Sequence, residues 1–373
     1  MIIRKNQAIP LAEVVCPEAG EITAHTALRG LAALMVVLYH CALTSPDVTL
    51  GPLTALVQRG YLFVDIFFIL SGFILMRRYG ASLAHPSRND LLQFWRRRLL
   101  RIYPPYIVWL TLAILVWFLV GMRGEGPQYE ADEHLASIVL HATMLQSILG
   151  LEIQYNVPLW SIAMEMAAYL LLPLFAMSLV PLSRSGICIL IVILLGGVWL
   201  FIRHYGTLDV IGGPGALARC LLGFCLGALS SLLSSTVPKG LARWSRPTSF
   251  FMLALTLLAF TTGHIFMGYC TALGMVMISS LQTTSSWTRT WLPMLLGRVS
   301  FSLYLAHIPV MSVMVLVTAK LESTSDLPLF SSFPVFATLV VVASVLAAVL
   351  SWKYVEVGLT ARVGSVLGRQ RMA

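Results

Sequence analysis

Charge is what this sequence has least of. Only 11% of its residues are Asp, Glu, Lys or Arg, where a soluble globular protein carries about 25%. A chain this poor in charge and 58% hydrophobic cannot cover a water-facing surface, so a soluble enzyme is excluded. The net charge of +9 does not indicate a nucleic-acid partner, because the basic residues sit in short stretches between apolar runs, where positive-inside topology places them. Cysteine is scarce too. The six cysteines form no CxxC pair and most lie within apolar runs, so they read as small buried hydrophobes, and neither disulfides nor a metal site is expected. Met1 to Ala24 has no long apolar core and reads as a tail, not a cleavable signal. No internal repeat stands out. Gly212-Gly213-Pro214-Gly215 follows no strand and marks a loop, not a phosphate cradle.

What is abundant is apolar sequence in long runs. Candidates lie at 27–44, 60–77, 99–120, 135–149, 160–182, 186–203, 214–234, 248–263, 265–282, 295–319 and 333–352. Most approach the roughly 20 residues that span a bilayer. The stretch from Arg77 to Arg101 holds seven arginines, while 121–134 carries Glu125, Glu130, Asp132 and Glu133. The first is expected on the cytoplasmic side and the second outside. The later basic clusters become cytoplasmic only if one run fails to cross. The run 135–149, short and carrying His141 and Gln146, is the candidate for a re-entrant or interfacial segment. The expectation is an all-α polytopic transmembrane bundle of about ten crossings plus that short segment. A cytoplasmic tail would cover 1–24, one membrane domain 25–356 and a second tail 357–373.

The few polar groups inside the runs are the functional candidates, since ionisable residues in a bilayer are costly. Arg29 and His40 are eleven positions apart, about 20° past three turns, so they share a helix face with about 16 Å of rise between them. Counted from the outer ends of their runs, His40 and Asp65 lie at similar depth on adjacent antiparallel helices. The expected contact would let the carboxylate fix the imidazole tautomer; the alternative is a pair that only holds two helices together. Ser161 and Glu165 are one turn apart and share a face, although Ser161 could merely cap its helix. Trp160 suits a membrane interface. Arg98 and Arg101 share a face beside Tyr103, in a pattern suited either to phosphate recognition or to topological anchoring. Tyr304 and His307 are i, i+3 neighbours in a late helix.

At these residues the chain resembles the acyltransferase-3 family of integral-membrane O-acyltransferases. Arg29 and His40 match its arginine–ten residues–histidine signature. Val64-Asp65 with Phe67 through Phe73 matches the second-helix block, and Arg98-Leu99-Leu100-Arg101-Ile102-Tyr103-Pro104 the arginine pair and following proline. Trp160-Ser161 and Glu165 match a tryptophan–serine–glutamate block, with Met166 where a second acid is common. Ser302-Leu303-Tyr304-Leu305-Ala306-His307 matches a late block, and Tyr354 with Glu356 a weaker terminal one. The proline often found after that last glutamate is absent, so Glu356 is assigned a structural role.

The resemblance implies transfer of an acyl group, often acetyl, from cytoplasmic acyl-CoA to a hydroxyl of a glycan or lipid-linked sugar, in a bacterial cell membrane. Acyl-CoA would be a co-substrate, with no permanently bound cofactor. Arg98 and Arg101 would dock coenzyme A, and Arg29 would hold a donor phosphate or polarise its carbonyl. His40, oriented by Asp65 or Glu165, would act as base or transient acyl acceptor, with Ser161, Tyr304 and His307 contacting substrate. Some relatives carry an extracytoplasmic esterase-like domain; with only Lys353 to Ala373 after the last apolar run, the expectation is that this chain acts without one or borrows one. A different class uses the same residue types: a proton-coupled transporter or flippase. The lack of paired Gly/Pro-broken helices in corresponding halves counts mildly against it.

Overall fold

Apolar runs this long satisfy their backbone polar groups in lipid only as helices or closed barrels, and the chain folds as helices. The computed structural model describes residues 21–45, 48, 50–121, 131–151, 155–238, 240, 242–282, 290–325 and 331–359. No strand occurs among them. The tails 1–20 and 360–373 and the acidic stretch 122–130 lie outside the described residues.

In chain order the helices are α1 (Thr23–Thr44), the five-residue α2 (Thr54–Gln58), α3 (Phe63–Ala84), α4 (Arg88–Gly121), α5 (Ala131–Ala142), α6 (Leu159–Leu179), α7 (Arg184–Tyr205), α8 (Gly213–Ser234), α9 (Ala242–Thr262), α10 (Ile265–Ser279), α11 (Trp291–Glu322) and α12 (Phe333–Ser351). Among the described residues, 8 helices are long and apolar enough to cross a membrane. Neither α9 nor α10 is among them; α10 has 15 residues. The two are joined by Gly263-His264 alone, and a connection that short forces an antiparallel hairpin. The 8 candidate spans are two fewer than the ten crossings expected, and the hairpin occupies the two runs, 248–263 and 265–282, that make up the difference. The 135–149 run forms the twelve-residue α5 followed by turns; at about 18 Å it is too short for a hydrocarbon core of about 30 Å.

Local chemistry explains where helices stop. Ser183 caps α7 by accepting from the Gly186 amide at 3.2 Å, and Gly206 closes it in the left-handed conformation at φ 71°. The outer face of α7 carries exposed Ile189, Val192 and Ile193, as expected for a helix facing lipid.

Two close helix crossings set the frame. A Cβ on Gly72 would lie 1.9 Å from Phe224 O, and one on Gly227 1.9 Å from Ile69 O, so α3 and α8 touch backbone to backbone. Between α1 and α11, a Cβ on Gly297 would lie 2.0 Å from Thr26 O, and one on Gly30 2.8 Å from Gly297 N. In lipid, where no hydrophobic force draws helices together, this close van der Waals approach is what small residues provide.

Candidate functional site

Where α1 and α11 cross at Gly30 and Gly297 they also fix what lies further along. His40 is ten residues past Gly30 and His307 ten past Gly297, so the two imidazoles arrive at the same level. His40 Nδ1 stands 2.9 Å from Val36 O and 3.3 Å from His307 Nε2. A carbonyl only accepts, so His40 Nδ1 carries the proton and shares it between Val36 O and His307 Nε2. His307 Nδ1 in turn donates to Leu303 O at 3.3 Å. Both rings are therefore Nδ1–H tautomers, and His40 Nε2 is left with its lone pair.

Neither carboxylate holds His40, which corrects the expected His40–Asp65 contact and the alternative through Glu165. Asp65 is instead bound to Arg219 of α8: Nε donates to Oδ1 at 3.1 Å and a terminal nitrogen to Oδ2 at 2.8 Å. Both side chains are buried. Arg219 also donates to Tyr61 O at 3.0 Å and lies over the Trp160 ring at 5.1 Å. Trp160 is thus a buried roof on a cation, not an interfacial anchor. The depth count failed because α3 starts lower than α1 ends. Gly60 is pressed against Met35 and Tyr39, and Asp65, five residues on, lies about 8 Å deeper.

Below the histidine pair is a cavity of about 120 Å³. Arg29, Arg78, Arg98 and Arg101 line it, from three different helices, together with Ser71, Ser161, Glu165, Tyr169 and Tyr304. Arg98 is buried, lies 5.4 Å from the Tyr79 ring and donates to Tyr79 Oη at 3.3 Å. Its Nε is a buried donor with no hydrogen-bond partner. Glu165 accepts from Tyr169 Oη at 2.6 Å and from Ser71 Oγ. Counting only lining residues, four guanidiniums face one carboxylate, a formal charge of +4 − 1 = +3. A lining of that charge suits an anion.

Ser161 does not cap α6. Its hydroxyl bonds back to Pro158 O at 3.1 Å and pairs with Tyr304 Oη at 2.8 Å. Tyr304 therefore stands at the far wall of the cavity, with its ring 5.9 Å from that of His307, and the His307 and His40 rings are 5.0 Å apart. Of the residues singled out from sequence, Arg29, Arg98, Arg101, Ser161, Glu165 and Tyr304 share the cavity, and His40 with His307 form the adjoining pair. Asp65 belongs to neither. Glu356 accepts from Ser302 Oγ at 2.5 Å in the π-helical turn Trp352–Leu359, bracing α11.

Four participants were missed. Arg219 was visible as a lone charge in the run 214–234, and Tyr169 as the i+4 neighbour of Glu165. Arg78 was hidden among the cytoplasmic basic residues, and Ser71 gave no signal of its own.

Comparison with known proteins identifies the family. The acyltransferase-3 family, described as an acyltransferase domain, matches residues 24–353. Peptidoglycan O-acetyltransferase OatA of Listeria monocytogenes is 25% identical over 363 residues, 88% of this chain and 54% of that protein. Acyltransferase MdmB of Streptomyces mycarofaciens is 28% identical over 180 residues, 46% of this chain and 44% of its own. O-acetyltransferase OatA of Staphylococcus aureus is 27% identical over 152 residues, 39% of this chain and 23% of its own. The chain thus spans about half the length, or less, of the curated relatives it matches. No solved structure matches. With the family match running through nearly every helix that builds the cavity and the histidine pair, the chain belongs to the acyltransferase-3 family of integral-membrane O-acyltransferases.

Proposed function

We propose that this protein is a membrane O-acyltransferase that moves an acetyl or other short acyl group from acyl-CoA to a hydroxyl of a glycan or lipid-linked sugar. The observation that carries this reading is the path from four arginines, past Ser161 and Tyr304, to the His40–His307 pair. A thioester donor whose other end is a polyphosphate fits a path that is cationic at one end and basic, in the proton-accepting sense, at the other. In this reading the arginine end faces the cytoplasm of a bacterial cell, as positive-inside topology favours, and acyl-CoA enters there.

In this reading the donor phosphates take Arg98, Arg101 and Arg78, and Arg29 faces the same anion from α1. His40 Nε2 removes the proton from the acceptor hydroxyl as its oxygen attacks the thioester carbonyl. The ring becomes cationic, and its Nδ1–H bonds to Val36 O and His307 Nε2 strengthen, since charge-assisted bonds are roughly twice as strong as neutral ones. Collapse of the tetrahedral intermediate breaks the C–S bond, and the leaving thiolate takes the proton from Nε2.

The test is CoA release by the purified chain in nanodiscs supplied with acetyl-CoA and glycan oligomers. Wild type should release CoA, and His40→Ala should lose about 10²–10⁴-fold per folded molecule. No release by wild type refutes the reading. Proton-coupled uptake into liposomes without CoA release would establish the transporter alternative instead.

A further inference from the structure

The end of the bundle opposite the arginines carries a second polar cluster that the transfer chemistry above does not use. Asp209, in the loop between α7 and α8, is a carboxylate with 34% of its side chain exposed. Tyr39 Oη donates to its Oδ2 at 2.9 Å, and its own amide donates to Thr207 Oγ1 at 2.9 Å. Thr207 Oγ1 in turn donates to Tyr61 Oη at 3.3 Å. The Tyr39 and Tyr61 rings meet edge to face at 5.7 Å, and the Tyr39 ring stands 5.1 Å from that of His40. A partly exposed carboxylate, a second aromatic ring and a hydroxyl thus gather around the tyrosine that borders the imidazole.

A carboxylate offers about four lone-pair directions, and Tyr39 uses one. Arg219 approaches Asp209 only to 4.0 Å, because its short bonds go to Asp65 and Tyr61 O. Asp209 therefore keeps free acceptor capacity on its exposed side. Two carboxylates against one guanidinium give this layer a formal charge of +1 − 2 = −1, opposite in sign to the donor cavity. Such a surface favours a ligand that donates hydrogen bonds and presents C–H faces to aromatic rings, and it repels an anion.

We propose that Tyr39, Tyr61, Thr207 and Asp209 form the acceptor subsite, which holds a neutral sugar through a pair of hydroxyls on Asp209 and delivers a neighbouring hydroxyl to His40. This assignment rests on the acyltransferase reading. It adds that the acceptor enters from the side opposite the donor, and that uncharged sugars are taken in preference to uronic acids.

The experiment measures acetyl transfer from acetyl-CoA by the full chain in nanodiscs to two probes, a neutral N-acetylglucosamine tetramer and a glucuronate-containing tetramer. Wild type should acetylate the neutral probe at least tenfold more efficiently. Asp209→Asn should raise KM for the neutral probe about tenfold or more, the loss expected for a hydrogen bond to a charged group, and Tyr39→Phe, which removes the hydroxyl that holds the Asp209 carboxylate at 2.9 Å, should raise it more than twofold, while KM for acetyl-CoA holds in both. Asp209→Asn should also narrow the preference over the anionic probe, a readout that loss of folded protein does not move. The subsite assignment is overturned if acceptor KM stays within twofold in both variants, or if donor and acceptor KM rise together. It is also overturned if wild type turns over acetyl-CoA but acetylates no neutral probe. Absence of any acetyl-CoA turnover overturns the acyltransferase reading itself.

Discussion

Removing the Asp65 charge should cost folding stability and leave the orientation of His40 intact. In Asp65→Asn the amide oxygen can still accept from Arg219 Nε, now 3.1 Å from Oδ1, but the amide NH₂ would face the terminal nitrogen that today donates to Oδ2 at 2.8 Å. Two donors then oppose each other, and a buried guanidinium loses its counterion. Breaking a buried ion pair in this way costs about 3–5 kcal/mol, whereas replacing both partners with apolar groups of similar volume is often neutral. Asp65→Asn and Arg219→Met should each be destabilised by about 3 kcal/mol or more. The double variant Asp65→Leu/Arg219→Met should recover most of that, so its cost should fall about 5 kcal/mol short of the sum of Arg219→Met and Asp65→Leu measured alone, beyond the 0.5–3 kcal/mol usual for groups in contact. Unfolding of the purified protein by a denaturing detergent, followed by tryptophan fluorescence, measures all four corners of the cycle. Trp160, one of nine tryptophans, lies 5.1 Å from the Arg219 guanidinium and contributes to that signal. A well-folded Asp65→Asn protein of wild-type stability with no activity would refute this, and would return Asp65 to the role of orienting the imidazole.

Three further outcomes can be checked in the same preparations. Gly227→Ala should destabilise by about 1–3 kcal/mol, the range for overpacking, since its methyl would land 1.9 Å from Ile69 O; Gly196→Ala, with nothing within 4 Å, should be neutral or slightly stabilising in detergent unfolding. Calorimetric titration with coenzyme A should show about tenfold weaker binding or more for each of Arg98→Ala and Arg101→Ala, with the larger loss at buried Arg98. His307→Leu should lower kcat about 10–100-fold by removing the acceptor of His40 Nδ1–H, with part of the rate restored in His307→Asn, and little change in donor KM.

Helix positions were legible because the apolar runs are long and the polar exceptions within them few. The cavity was legible in part for the same reason: Arg29, Arg98, Arg101, Ser161, Glu165 and Tyr304 are intramembrane polar groups, and the bundle gathers them. The partners were not. Asp65 and Arg219 are 154 residues apart, and no local spacing joins them. Asp65 was matched to His40 by counting from the ends of two runs, and equal counts are not equal depths when the segment 51–62 folds as short turns before α3 begins. Arg78 was absorbed into a topological count that explains surface arginines equally well. The group that orients His40 is a main-chain carbonyl one turn back, Val36 O, which any helical histidine has available and which no side-chain pattern can announce.

The two glycine crossings tie the bundle into two helix pairs. Helices α1 and α11 are fastened to each other, as are α3 and α8, and a helix pair joined backbone to backbone moves as one piece. Both imidazoles ride on the first piece, so no displacement between the pieces changes their 3.3 Å separation. The arginine-lined cavity lies across the seam: Arg29 and Tyr304 belong to the first piece, Ser71 and Arg78 to the second. In the proposed reading a bulky polyanion bound there would bridge the two pairs, whereas the histidine pair would sit wholly within one of them.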